Sequence, residues 1–184
     1  MMKTCATALV LLAFVGAWAS GVVGVRLAFA ASSGGECDEI GWPVNKDRDE
    51  FAARDLPQRP SGARLKRIDR AVELGLKRPD QVKLFLRPEV ALDKQRFNGA
   101  VTFMGVPRPG LYQVTLSEPA EIEVFENGMR LKPEASAQAR NCPGVAQSAR
   151  YQLAPGDLVL VEIINAPQPT IKVAFDQVEA KTLK

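Results

Sequence analysis

The sequence predicts an all-β chain, an antiparallel β-sandwich of jelly-roll type with one short N-terminal helix. Three observations carry this expectation. From Asn98 onward, apolar and polar residues alternate in runs about five residues long. Proline or glycine turns separate these runs at intervals of about 8 to 12 residues. Asn127 and Gly128 stand where a type I′ turn would join two of the runs into a hairpin.

The chain has 184 residues, 46% of them apolar and 24% charged, which suits one globular domain rather than a fibre, a repeat array or a disordered tail. It divides into residues 1–30 as a signal peptide, 31–70 as a linker with an irregular or short-helical lead-in, and 71–184 as the sandwich. Lys3 supplies a positive start, residues 6–25 are uncharged and mostly apolar, and Ala28 and Ala30 offer the small side chains that a signal peptidase needs. Export to the periplasm or the medium is expected. The alternatives are earlier cleavage at Ala17 and Ala19, or an uncleaved anchor in the inner membrane facing the periplasm, because the apolar run approaches the ~20 residues of a membrane span. Neither Cys5 nor Cys37 follows a lipobox, so a lipid anchor is not expected. The first 30 residues carry Lys3 and Arg26 but no acid, so their removal leaves a nearly neutral protein.

Within the lead-in, residues 45–54 read as a short helix with Asn45 or Asp47 as N-cap and Phe51 facing inward, ended by Pro57, Pro60 and Gly62. Residues 63–72 are ambiguous. Leu65, Ile68 and Val72 fit a helical stripe, whereas Val72, Leu74 and Leu76 alternate as a strand from Ala71. A turn at Arg78, Pro79 and Asp80 would lead into a second alternating run at Val82, Leu84 and Leu86. Further strands follow at Val101 and Phe103, at Tyr112, Val114 and Leu116, at Ile122 and Val124, and at 129–132 across the hairpin. The last strands are at Tyr151 and Leu153, at 158–164, and at Ile171, Val173 and Phe175. The 158–164 run is apolar on both faces apart from Glu162, so it should sit centrally in a sheet, partly covered by the N-terminal segment.

Histidine is absent from the whole chain. That excludes Ser-His-Asp and Cys-His nucleophile activation, imidazole-ligated zinc or copper, and the two-His-one-carboxylate iron site. No Ser-x-x-Lys, Gly-x-Ser-x-Gly or P-loop pattern appears either. No cofactor, metal site or catalytic residue is expected. Once Cys5 leaves with the signal, Cys37 and Cys142 remain as an even pair with one possible connectivity, and an exported chain would join them.

Tyr112, Val114 and Leu116 after Gly110, the Asn-Gly hairpin between Ile122 and Leu131, the Asn141-Cys142-Pro143-Gly144-Val145 loop, and Tyr151 through Gly156 together resemble a family of small exported proteobacterial proteins of uncharacterised function. The opening at Cys37 followed by Trp42 and Pro43 is similar to that of the same group. The resemblance covers most of the mature chain and implies a β-sandwich. Some members carry the name homogentisate dioxygenase, but that enzyme's iron takes imidazole ligands, which this chain lacks. The family pattern implies that a Cys37–Cys142 bridge staples the lead-in across the sandwich with Trp42 beside the sulfurs; the alternative is a binding patch with Trp42 as a stacking platform.

Basic residues outnumber acids between positions 48 and 96, with Arg64, Lys66, Arg67 and Arg70 clustered. This patch could meet an anionic lipid or polysaccharide; no nucleic-acid signature accompanies it. Glu121 and Glu123 alternate with Ile122 and Val124 and read as a solvated strand face. Asp47, Asp49 and Glu50 lack the glycine and terminal acid of a calcium loop and read as a solvated helix surface. Tyr112 and Tyr151 should face the core, leaving little aromatic surface for sugars. Three classes therefore remain. The expected one is a non-catalytic exported module binding a protein or cell-envelope partner through an edge strand or loop. The others are a small-ligand or glycan binder, and an enzyme that works without histidine.

Overall fold

A computed structural model describes residues 37–66, 70–156 and 158–178. The signal-peptide reading of residues 1–30, the linker at 31–36, Arg67 and Ile68 lie outside these. The described residues belong to one compact unit.

Two sheets pack face to face. In chain order the elements are α1 (Asn45–Phe51), β1 (Gln58–Pro60), β2 (Ala63–Leu65), β3 (Val72–Gly75), β4 (Phe97–Met104), β5 (Gly110–Leu116), β6 (Glu121–Glu126), β7 (Met129–Leu131), β8 (Ala135–Gln138), β9 (Gln147–Leu153), β10 (Leu158–Ala166) and β11 (Thr170–Gln177). One sheet has the order β1-β3-β11-β5-β9-β8, the other β2-β4-β10-β6-β7. The all-β sandwich is as the alternating pattern predicted. After β4 the chain passes repeatedly from one sheet to the other, remaining in the same sheet only for the hairpins β6–β7 and β8–β9.

The alternation places one side chain in two inside. Tyr112, Val114 and Leu116 of β5 meet Val101 and Phe103 of β4, Val159, Val161 and Ile163 of β10, and Ile171, Val173 and Phe175 of β11 in one buried cluster. Phe175 lies between Phe103 and Tyr112, with ring centroids 4.3 and 5.5 Å away. Each such side chain stabilises the fold by about 1.5–3 kcal/mol relative to exposure.

Several expectations need correction. The sheets are mixed rather than wholly antiparallel, because β1 runs parallel to β3 and β2 parallel to β4. Residues 58–65, read as irregular lead-in, thus give an edge strand to each sheet. Val82, Leu84 and Leu86 form no strand. After a 3-10 turn at Pro79–Gln81 the chain crosses the outer face of the five-stranded sheet as an irregular strap, and its backbone bonds carboxylates instead of a neighbouring strand. This strap, not the N-terminal segment, covers β10, which is central as expected between β4 and β6. Asn165, at φ +59°, makes a bulge in β10; its side chain accepts the Asp93 N–H and donates to the Ala91 carbonyl, pinning the end of the strap.

The N-terminal lead-in covers the other sheet. Ile40, Val44 and Phe51 pack with Ala71, Cys142, Val145 and Ala174 in a second buried cluster on the outer face of the six-stranded sheet. Phe51 faces inward as predicted, and Cys37 and Cys142 are joined by a disulfide spanning 105 residues of sequence. Among the described residues no helix is long and apolar enough to cross a membrane.

Candidate functional site

Three of the four clustered basic residues singled out from sequence lie among the described residues. Arg64, Lys66 and Arg70 line one groove with Arg59, against apolar walls from Pro57, Leu65 and Val72. The cavity measures about 510 Å³. It exists because β1 and β2 are edge strands of opposite sheets joined by a two-residue turn. Gly62 holds φ +86° there, its N–H donates to the Ala100 carbonyl, and the Ser61 hydroxyl accepts from the Ala100 N–H. The chain thereby steps from one sheet to the other and carries Arg59 and Arg64 to the same side. Sequence reading missed Arg59; its place five residues before Arg64 showed no link until the turn was known.

Arg70 is held by Asp55, with a guanidinium–carboxylate distance of 2.7 Å and a second bond to the Asp55 carbonyl. Arg70 holds the Asp55 carboxyl below its usual range, first through the hydrogen bond and then through charge. Among the described residues no carboxylate pairs with Arg59, Arg64 or Lys66. Among the described residues the groove lining includes no carboxylate, hydroxyl or thiol. Such an arrangement can hold a phosphate or carboxylate, since Arg offers a planar fork and Lys a mobile point charge.

Trp42 does not join this groove. It lies at a second hollow of about 530 Å³ on the outer face of the six-stranded sheet, lined by Lys46, Asp47, Gln113, Arg150 and Asp176 among others. Its indole N–H donates to the Ser148 hydroxyl at 3.1 Å, and the Arg150 guanidinium sits 4.6 Å above its ring. Arg150 Nε in turn donates to Gln113 Oε1 at 3.1 Å. Trp42 packs with Cys37 against the cluster that holds Cys142, which fits the staple reading better than a free stacking platform.

Asp47 is the centre of this polar layer and corrects the expectation of a solvated helix surface. It is 2% exposed, and its carboxylate accepts from Gln113 Nε2 at 2.8 Å and from the Thr115 hydroxyl. Neither Asp47 nor Asn45 caps the helix; Val44 occupies that position with no side-chain cap. Beside it, Asp176 bonds Lys46. Burial, assisted by the neighbouring Asp47, outweighs Lys46 and pushes the Asp176 carboxyl up to about 6. Burial also lowers the Arg150 guanidinium. The alternation around Val114 shows that Gln113 and Thr115 leave the core, but no sequence signal reveals that the helix buries them again.

Glu123 also departs from the solvated-face reading. It is 7% exposed, accepts the Glu89 N–H at 2.7 Å, and lies 2.9 Å from the Arg130 guanidinium. Tyr112 and Tyr151 face the core as expected, and their hydroxyls donate to the carbonyls of Arg108 and Ile122. No protein-family model matches this sequence, and no curated protein matches it.

Proposed function

We propose that the protein is an exported, non-catalytic module that holds an anionic component of the cell envelope in the Arg59–Arg64–Lys66–Arg70 groove. The observation that carries this reading is the convergence of four cations, Arg59, Arg64, Lys66 and Arg70, on the apolar walls of one groove, with no acid or nucleophile among its described lining residues. A phosphorylated or carboxylated glycan or lipid headgroup supplies the matching chemistry. The signal-like start and the disulfide support export, since disulfides persist in oxidising compartments. The absence of histidine favours binding over turnover. The resemblance to small exported proteobacterial proteins belongs to the same proposal.

A protein partner added along a sheet edge is the competing reading, and the edges disfavour it. β1, β2 and β7 are three residues long, β8 is four, and β1 ends on Pro60, which has no N–H to offer. The burial of both described tyrosines disfavours sugar stacking as the main mode of recognition.

The test is binding of residues 34–184 to immobilised heparin and to lipopolysaccharide across a salt series. The wild type should be retained at low salt and released steeply as salt rises. Arg59→Ser with Arg64→Ser and Lys66→Ser should abolish retention without lowering Tm. Retention unchanged in that triple variant would reject the groove. Cell fractionation with mass spectrometry of the N-terminus tests export separately.

A further inference from the structure

The edge of the five-stranded sheet opposite the groove carries an apolar tip. Phe85 is 52% exposed, Leu86 45% and Met129 66%, the last at the start of β7. They belong to one place on the surface. The Phe85 ring packs edge-on against Phe125 with centroids 5.4 Å apart, and its Cζ lies 3.6 Å from where a Cβ on Gly128 would stand. The strap therefore seats Phe85 against the hairpin turn that precedes Met129.

The tip is held rigidly for residues so exposed. The Phe85 N–H donates to Glu162 and the Glu89 N–H to Glu123, while Arg130 donates to the Arg87 carbonyl at 2.7 Å. A hydrophobic side chain left in water on a firmly anchored segment is an unspent interaction surface. Its flanks are basic: Lys83 and Arg87 border the Leu84-Phe85-Leu86 run and are exposed, as is Lys132 beyond β7. Of the acids near in sequence, Asp80 and Glu134 are exposed, while two others are engaged. Glu89 lies 3.6 Å from Arg130, and Glu126 accepts the Ala154 N–H.

We propose that this tip docks the protein on an anionic lipid surface. Phe85, Leu86 and Met129 enter the headgroup–acyl boundary while Lys83, Arg87 and Lys132 remain among the anionic headgroups, the division of labour that peripheral membrane attachment requires. The tip is separate from the groove. β7 and β2 are the opposite edges of the five-stranded sheet, so attachment would leave the groove clear of the bilayer contact. The docking surface thus goes beyond the proposed function and does not depend on what the groove holds.

The test is co-sedimentation of residues 34–184 with vesicles of phosphatidylglycerol and phosphatidylethanolamine, and with vesicles of phosphatidylcholine alone, at low and high salt. The wild type should bind the anionic vesicles, bind phosphatidylcholine far less, and lose affinity with salt. Phe85→Ser with Met129→Ser should weaken anionic-vesicle binding by about tenfold or more at unchanged Tm, because both side chains are exposed in the free protein. Lys83→Glu with Arg87→Glu should remove the preference for anionic lipid. The Phe85 and Met129 variant should still be retained on heparin through the Arg59–Arg64–Lys66–Arg70 groove, which separates failure of the tip from failure of the groove. The proposal is overturned if the wild type binds no vesicle at low salt, or if the Phe85 and Met129 variant binds as well as the wild type. It is equally overturned if the tip instead drives self-association that the same variant abolishes.

Discussion

Glu162 on the central strand accepts the backbone N–H of Phe85 at 2.6 Å, joining two residues 77 positions apart. The other Glu162 oxygen, Oε2, has no hydrogen-bond partner among the described residues. Glu123, directly across the ladder on β6, does the same for Glu89. Two buried carboxylates therefore serve as the sheet-side acceptors for a segment that never becomes a strand. Glu162→Ala should orphan the Phe85 N–H and cost about 1–3 kcal/mol. Hydrogen exchange at the Phe85 amide should accelerate. Glu162→Gln keeps an acceptor and should preserve the protection; equal exchange in the Ala variant would show that the strap is held by its apolar contacts alone.

Asp176 links stability to pH. Its carboxyl is raised from 3.8 to about 6 in the folded chain, chiefly by burial, so the folded state binds its proton more tightly than the unfolded state. Its contribution to stability is greatest below the unfolded value and declines as pH rises through the folded one. Between pH 4 and 7, Asp176→Asn should show a flatter dependence of Tm on pH than the wild type. Parallel curves in a pH-resolved thermal melt would contradict this.

Asp47 satisfies Gln113 and Thr115 at once. Asp47→Ala should leave Gln113 only its longer bonds to the Pro43 carbonyl and the Thr115 hydroxyl, and Thr115 only the Ser148 hydroxyl, at a cost of about 1–3 kcal/mol, whereas Asp47→Asn keeps an acceptor and should cost less. Urea denaturation of the pair of variants measures the difference.

Reduction of Cys37–Cys142 frees a 105-residue loop and should cost about 2–4 kcal/mol. Trp42, which packs against the same cluster, should report the loss as a red-shifted, more quenchable emission in Cys37→Ser with Cys142→Ser. An unchanged spectrum would mean that the apolar lead-in contacts suffice to hold the indole.

Val161 has no exposure and lies midway along β10, paired to Val101 on one side and Val124 on the other. Val161→Asp would bury an unpaired carboxylate and should abolish cooperative unfolding. A variant that still melted cooperatively near the wild-type Tm would deny this strand its central place.

The sandwich was legible because most strands turn apolar side chains to the core and more polar ones to the outer face, so the two-residue period survives in the sequence even where the lead-in or the strap buries that outer face. Tyr112, Val114 and Leu116 announce β5, and Asn127 with Gly128 announces its neighbouring hairpin. The failures have a common cause. Val82, Leu84 and Leu86 carry the same period, yet the carboxylates of Glu162 and Glu123 take the backbone donors that a strand would have given to a ladder. The parallel pairing of β1 with β3 and of β2 with β4 was hidden because three-residue strands built from Gln58, Arg59 and Pro60 or Ala63, Arg64 and Leu65 show no periodicity. At the groove, the cluster of Arg64, Lys66 and Arg70 was visible as local charge, whereas Arg59 joined it only through the turn at Ser61 and Gly62. Asp47 looked like surface because nothing in a helix of seven residues tells which of its acids will meet a polar sheet face.

Strand order has a consequence for how the molecule comes into being. β4 finds its long antiparallel neighbour only in β10, and β3 and β5 are bridged by β11, the last of the described strands to leave the ribosome. Neither sheet can close until β10 and β11 have been made, so early segments must wait without their partners. Stop codons placed before Thr170 should therefore yield products that holdase chaperones retain and proteases clear, instead of smaller working versions of the protein.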